Sequence, residues 1–197
     1  MISVKDILEL AQSHGGLVTT AQVVDAGIPR ARITDMVRAD ELVRVQRGVY
    51  CLTDAWEDEF LAAQLRFPKG IFSDGTALYL LGYTDRTPFN LSMTFPRSYR
   101  ATKAREADIE VRTCASDVLD LGLATLKTPY GNEVKGYDLE RTLCDMLRGR
   151  QDVDVQILNP AMQQYVKSNS KNIQKLLEYA SALGVERKMR NYLEVLL

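Results

Sequence analysis

Residues 15–50, GGLVTTAQVVDAGIPRARITDMVRADELVRVQRGVY, decide the fold of this 197-residue chain. Thr19 can cap a short helix over residues 20–25, and Gly27 can supply a tight turn because glycine tolerates a positive φ. Pro29 suits the first position of a further helix, since its missing N–H would be unpaired there. The stretch therefore predicts two short helices joined by a tight turn.

The second of these helices is predicted to run from Pro29 to about Ala39, with Ile33, Met36 and Val37 on its inner face. A recognition helix places its N-terminal residues against base edges, where arginine can bind guanine and methyl groups suit thymine. The predicted base-reading residues are Arg30, Ala31, Arg32 and Thr34, and Arg38 is predicted to hold phosphate.

Residues 42–45 and 48–52 alternate like two strands of a hairpin. Helix, turn, helix and hairpin in this order are the plan of a winged helix-turn-helix, a DNA-reading module. Its further predicted DNA contacts are Thr20, Arg44, Gln46 and Arg47. Between residues 28 and 50 five arginines stand against three acidic residues, a local balance of +2. The alternative interpretation is that these arginines only form a solvated helix face.

The composition gives no global reason to bind nucleic acid. The chain has 25 basic and 26 acidic residues, a net charge of −1, and 46% hydrophobic residues. This is ordinary for a globular protein of one large or two small domains. Any DNA contact must therefore come from a local patch of positive charge.

The rest of the chain is predicted to form a mixed domain. Strand-like segments cover 90–95, 109–114 and 123–128, a helix begins at Asp138, and the chain is helical almost throughout 153–197. The predicted fold class is α+β. A winged helix spans residues 1–53, and a second domain spans 56–197, mixed α/β to about residue 150 and helical beyond it.

Two basic runs lie in this second part. Residues 167–190 carry six basic and two acidic residues, and the predicted phosphate contacts there are Lys167, Lys171, Lys175, Arg187, Lys188 and Arg190. The other run, Arg97, Arg100, Lys103 and Arg105, follows Pro96. Such runs also occur simply because they keep a surface soluble, so this alternative stays open for both.

No catalytic residue, metal site or cofactor is predicted. The sequence contains neither GxGxxG nor GxxxxGK[ST], and one histidine cannot supply the usual zinc ligands. The pair Asp152 and Asp154 could hold Mg²⁺ in a nucleotidyltransferase, but no Gly-Ser dipeptide accompanies it, and acids also favour a helix N-terminus. Enzymatic activity is not expected.

The cysteines and the apolar runs predict a cytoplasmic protein. Three cysteines without CxxC spacing, Cys51, Cys114 and Cys144, are typical of buried thiols in a reducing compartment. The first residues do not resemble a signal peptide, and no apolar run approaches the ~20 residues of a membrane span. No membrane partner is expected.

A resemblance to a known family is carried by three segments: GGLVTTAQVVDAGIPRARITDMVRADELVRVQRGVYCL, FSDGTALYLLGYTDRTPFNLSMTFP and YDLERTLCDMLR. The first is similar to the winged helix, and the other two are similar to the antitoxin domain, of the AbiEi antitoxins of type IV (AbiE) bacterial toxin–antitoxin systems. Members often have histidine where this chain has Asp74. We interpret that difference as variation in a structural helix cap.

The resemblance implies two activities linked to abortive infection and phage defence. One is autorepression of the operon through inverted repeats in promoter DNA. The other is neutralisation of a nucleotidyltransferase-like toxin without a stable complex. The main alternative is a winged-helix regulator that senses a small ligand in an apolar pocket near Tyr79, Tyr83 and Phe95. A winged helix that binds only protein is a further alternative.

Overall fold

The computed structural model describes residues 4–148 and 155–196, which form two compact units. The first unit comprises Met1–Pro68 and Lys127–Glu133, and the second comprises Lys69–Leu126 and Val134–Leu197. This division differs from the predicted boundary at residues 53–56. Residues 56–68 and a hairpin tip far along the chain both belong to the first unit.

The first unit contains the predicted helix-turn-helix and hairpin. Its elements are α1 (Val4–Gln12), β1 (Leu17–Thr19), α2 (Thr20–Asp25), α3 (Ala31–Arg38), β2 (Leu42–Gln46), β3 (Val49–Leu52) and α4 (Glu59–Arg66). The three strands form an antiparallel sheet in the order β1-β3-β2. The predicted winged helix-turn-helix within an α+β fold is confirmed.

One apolar core holds these elements together, because α1 and α3 each turn an apolar stripe inward. Its buried residues are Ile7, Ala11, Val18, Val23, Ile28, Ile33, Met36, Leu42 and Leu52. Ile33 and Met36 face inward as predicted. The predicted start of α3 at Pro29 was too early: the carbonyl of Pro29 accepts the N–H of Arg32 in an opening turn, and the helix begins at Ala31.

The second unit is built on a mixed five-stranded sheet. Its strands are β4 (Ile71–Phe72), β5 (Ser92–Pro96), β6 (Glu110–Cys114), β7 (Leu123–Lys127) and β8 (Glu133–Tyr137), in the order β6-β5-β4-β8-β7. Strand β5 pairs antiparallel with β4 and parallel with β6. Two short helices, α5 (Asp74–Leu80) and α6 (Thr102–Arg105), lie between these strands in the chain.

The remaining helices of the second unit surround α7 (Leu139–Arg148), whose residues 140–147 are all buried. They are α8 (Val155–Lys167), α9 (Ile173–Ala182) and α10 (Glu186–Leu196). Leucine, methionine and alanine side chains of α7, α8, α9 and α10 share one apolar core. The predicted change from a mixed α/β segment to a helical one is confirmed.

A buried carboxylate explains why a distant hairpin tip belongs to the first unit. Asp58 is fully buried, and its Oδ1 caps α4 by accepting the N–H groups of Phe60 (3.0 Å) and Leu61 (3.1 Å). Its Oδ2 accepts hydrogen bonds from Thr128 Oγ1 (2.6 Å) and Asn132 Nδ2 (2.8 Å). The tip between β7 and β8 is thus bonded to the start of α4.

A second buried carboxylate, Asp74, begins α5 in a strained conformation. Its φ is +51°, in the left-handed region that ordinary residues avoid. Oδ2 lies 2.7 Å from Arg112 Nε and accepts a hydrogen bond from Ser73 Oγ, while Oδ1 has no partner within the described residues. Burial raises the pKa of Asp74 to about 6, although Arg112 lowers it in part.

This pKa predicts how stability changes with pH. Because the pKa of Asp74 is higher in the folded chain than in the unfolded one, the folded chain binds the extra proton, and its stability falls as the pH rises through 6. We expect Asp74 alone to make unfolding about 1 kcal/mol less favourable at about pH 5 than at about pH 7.5. Urea unfolding of the parent and of Asp74→Asn at both pH values measures this difference. An equal pH dependence in the two proteins would contradict it.

Candidate nucleic-acid interface

Local sequence signals fix the geometry of the helix-turn-helix. Thr19 and Gln22 form a capping box: Thr19 Oγ1 accepts the N–H of Gln22, and Gln22 Oε1 accepts the N–H of Thr19. At the other end of α2, Gly27 has a φ of +77°. The N–H of Ile28 bonds to the carbonyl of Val23, which closes the turn and buries Ile28 in the core.

The turn presents the outer face of α3 to solvent. All five of its predicted DNA-contacting residues are exposed: Arg30, Ala31, Arg32, Thr34 and Arg38. Arg32 Nη1 lies 3.8 Å from Asp35 Oδ2, and both side chains are more than half exposed. An exposed pair of this length is weak, so it leaves Arg32 available to a base or a phosphate.

The hairpin forms the predicted wing next to this helix in the chain. Arg44 lies opposite Tyr50, and Gln46 opposite Val49, with an irregular register between Arg44 and Gln46. Gly48 turns the chain with a φ of +79°, and its carbonyl accepts the N–H of Thr20 at 2.9 Å. Arg44 and Arg47 are both exposed on the wing.

The side-chain polar groups of Gln46 and Thr20 are less accessible to DNA than the sequence predicts. Gln46 Oε1 accepts a hydrogen bond from Nη1 of Arg66 at 3.3 Å, which leaves its amide nitrogen as the free donor. The hydroxyl of Thr20 is buried and has no hydrogen-bond partner in the described part of the chain. The side chain of Thr20 is therefore not placed to meet phosphate.

Arg66 is a cation of this surface that the sequence reasoning missed. It lies on α4, 20 residues beyond Gln46, and its guanidinium also lies 5.0 Å from the ring centroid of Phe67. No local motif connects a residue of α4 with the wing. The hydrogen bond to Gln46 places the guanidinium of Arg66 next to the wing.

The six predicted phosphate-binding residues of the C-terminal helices fall into two groups. Lys175 Nζ pairs with Asp138 (2.9 Å) and Glu140 (3.1 Å); burial lowers the pKa of Lys175, but these two carboxylates raise it more. Arg190 pairs with Glu186, and Lys188 Nζ donates to the carbonyl of Leu147. The other three, Lys167, Lys171 and Arg187, are exposed, and among the described residues their side chains have neither an ion pair nor a hydrogen bond.

The residues named for the alternative interpretations lie in different surroundings. Phe95 is fully buried and stacks on Tyr99, whereas Tyr83 borders a surface cavity of about 590 Å³ together with residues of α8. Asp152 and Asp154, named for a nucleotidyltransferase, lie outside the described residues.

Two further features of the described residues concern the state of the cysteines and the length of the helices. All three cysteines are buried free thiols, as predicted. Among residues 4–148 and 155–196, no helix combines the length and apolarity that a membrane span requires.

The first unit has the fold and exposed arginines of the winged helix-turn-helix class of DNA-binding domains. The model of one protein family, described as a transcriptional regulator, AbiEi antitoxin, matches residues 5–53. This match covers α1 to β3, and it confirms over that segment the predicted resemblance to the winged helix of the AbiEi antitoxins. No curated protein matches the sequence.

A solved structure shares the fold over most of the chain. The crystal structure of the RV2827C protein from Mycobacterium tuberculosis is similar with a TM-score of 0.58, over 94% of this chain and 78% of that chain. The sequences are 16% identical, so this similarity describes the fold alone.

The end of α3 supports a prediction about stability. Asp40 follows this helix with a φ of +55°, where glycine is the usual residue. We expect Asp40→Gly to raise the free energy of unfolding by roughly 0.5–1 kcal/mol, because it removes left-handed strain and an acid from the negative end of the helix. Urea unfolding measures this change.

The matched control is Asp35→Gly, because Asp35 lies inside α3. There glycine adds backbone freedom without relieving strain, and stability should fall by roughly 0.3–0.5 kcal/mol. A loss of stability in both variants would show that the backbone of Asp40 is not strained.

Proposed function

We propose that this chain is a DNA-binding autorepressor and the antitoxin of a type IV toxin–antitoxin system. The proposal is carried by one observation: the family match over residues 5–53 coincides with a winged helix whose outer helix face and wing expose five arginines. Arginine suits both guanine edges and phosphates. The partner is promoter DNA that contains inverted repeats, and the protein acts in the cytoplasm.

The residues of the winged helix have two roles in this proposal. Arg30, Arg32 and Thr34, with the methyl group of Ala31, read base edges from α3 in the major groove. Arg38, Arg44 and Arg47 hold phosphates, and Gln46 donates from the amide nitrogen that Arg66 leaves free. Thr20 takes part through its backbone N–H, which holds the wing turn at Gly48.

Replacing one residue of each kind tests the assignment to DNA. Arg32→Ala should cost about 1–3 kcal/mol of binding to the chain's own promoter and should relax the sequence preference. Arg47→Ala should instead weaken all DNA equally and lower the salt slope by about one. Mobility-shift titrations on promoter and scrambled DNA at several salt concentrations measure both effects. If neither variant loses affinity, the winged helix does not bind DNA in this way.

The charges of the C-terminal helices allow a separate test. Lys171 is exposed and has no ion pair within the described residues, whereas Lys175 is held by two carboxylates. If this region also contacts phosphate, Lys171→Ala should lower the salt slope. Lys175→Ala is not a test of DNA binding, since removing its charge leaves Asp138 and Glu140 without their partner.

The antitoxin activity is assigned to the second unit, which lies almost wholly outside the segment that the family model matches. We expect the chain to restore growth to cells that express a nucleotidyltransferase-like toxin encoded by the neighbouring gene, without copurifying with it. Arg32→Ala should restore growth as well as the parent does, because it removes only DNA reading. Growth arrest in the presence of the parent chain would contradict the antitoxin role and leave DNA binding untouched.

A further inference from the structure

One surface of the first unit combines exposed aromatic rings with acidic side chains. We define the acidic aromatic face as Asp54, Trp56, Glu57, Glu59 and Tyr130, all of which are exposed. Trp56 is 79% exposed and Tyr130 is 52% exposed. Large exposed aromatic side chains are typical of surfaces that bind a partner.

The hydrogen bonds of Asp58 bring the two segments of this face together. Trp56 precedes Asp58 by two residues, and Tyr130 lies midway between Thr128 and Asn132, the two residues that donate to the Asp58 carboxylate. The acidic aromatic face is therefore anchored by buried bonds beneath it, although its own side chains reach into solvent.

The charge of this face decides which partner it fits. Partial burial raises the pKa of Glu59, and the negative charges of Asp58 and Glu57 raise it further. Phosphate would be repelled by this concentration of carboxylates, so DNA is not its ligand. A cationic surface would be attracted, and arginine or lysine could lie over the ring of Trp56, the aromatic side chain that binds cations best.

The second unit carries a surface of the opposite charge. We define the basic loop face as Lys69, Arg97, Arg100, Lys103 and Arg105, all of which are exposed. None of the five has an ion pair in the part of the chain that the structure describes. Unlike Lys175 and Arg190, these cations have no carboxylate partner there.

The loop that carries these cations is ordered from within. Phe95 is fully buried, and its ring stacks on Tyr99 at 4.9 Å, while Lys69 Nζ lies 6.0 Å from the centre of the Tyr99 ring. The N–H of Arg97 donates to the carbonyl of Cys114 at 2.8 Å. Because this backbone is fixed, the loop presents its charges with little loss of backbone conformational entropy on binding.

We propose that the basic loop face of one copy of this chain docks on the acidic aromatic face of a second copy. The two faces match in charge, and Trp56 supplies an aromatic ring for the incoming guanidinium groups. The two faces lie in different units of the chain, so the contact joins two different surfaces. This self-association does not depend on the proposed DNA binding.

The chain offers a direct probe of this contact, because Trp56 is its only tryptophan. Sedimentation velocity and tryptophan emission are measured from about 1 μM to about 200 μM, in about 0.05 M and about 0.5 M salt. At low salt, the mean mass should rise with concentration while the emission shifts to shorter wavelength. At high salt, both changes should be at least about tenfold weaker, because the contact is ionic.

Charge reversal tests whether these two faces are the ones in contact. Asp54→Arg with Glu57→Arg, and Arg100→Glu with Lys103→Glu, should each lower the association constant at least about tenfold. An equimolar mixture of these two double variants should associate again, since each retains the face that the other has lost. The matched controls Glu194→Arg and Arg187→Glu change exposed charges outside both faces and should associate like the parent.

Three results would overturn the proposal. One is a parent chain that stays monomeric with unchanged tryptophan emission up to the highest concentration. The second is association that persists in both double variants, which would place the contact elsewhere. The third is a mixture that fails to associate although circular dichroism shows that both double variants are folded.

Discussion

The first unit depends on a single buried carboxylate that accepts four hydrogen bonds. Asp58 is fully buried, caps α4 through one oxygen and binds Thr128 and Asn132 through the other. A buried carboxylate is costly unless donors surround it, and here each oxygen has two. Helix α4 in turn packs on all three strands of the winged helix and supplies Arg66 to the wing. The same bonds join Trp56 and Tyr130 into one acidic aromatic face.

A basic side chain of this protein is available to an anionic partner only where no strong ion pair with a carboxylate holds it. The net charge is −1, and the formal count of basic residues in the C-terminal helices overstates their free charge, since Lys175 and Arg190 are paired. On α3 the weak exposed pair of Arg32 with Asp35 leaves the cation available, and the basic loop face has no pair at all within the described residues. We therefore propose DNA as the partner of the winged helix and a protein as the partner of the basic loop face.

Local sequence signals were sufficient to predict the winged helix. Contacts between residues far apart in the chain account for the features that the sequence could not predict. The capping box at Thr19 and the glycine turn at Gly27 act within a few residues, so they could be recognised before the structure was known. The boundary of the first unit rests on Asp58 and Thr128, which are 70 residues apart. Lys175 and Glu140 are separated by 35 residues, and nothing in the basic run pointed to that pair. The exposure of the arginines on α3 followed from helical periodicity, whereas the position of Arg66 required the three-dimensional contact.

In the proposed function, α3 and the wing are the surface that meets DNA. Amide hydrogen exchange of the full chain, with and without its own promoter DNA, tests this claim most directly. We expect slower exchange over residues 30–38 and 44–49 on binding, with the acidic aromatic face unchanged when DNA is in excess and the chain is dilute. Tight promoter binding without slower exchange in those two segments would contradict it.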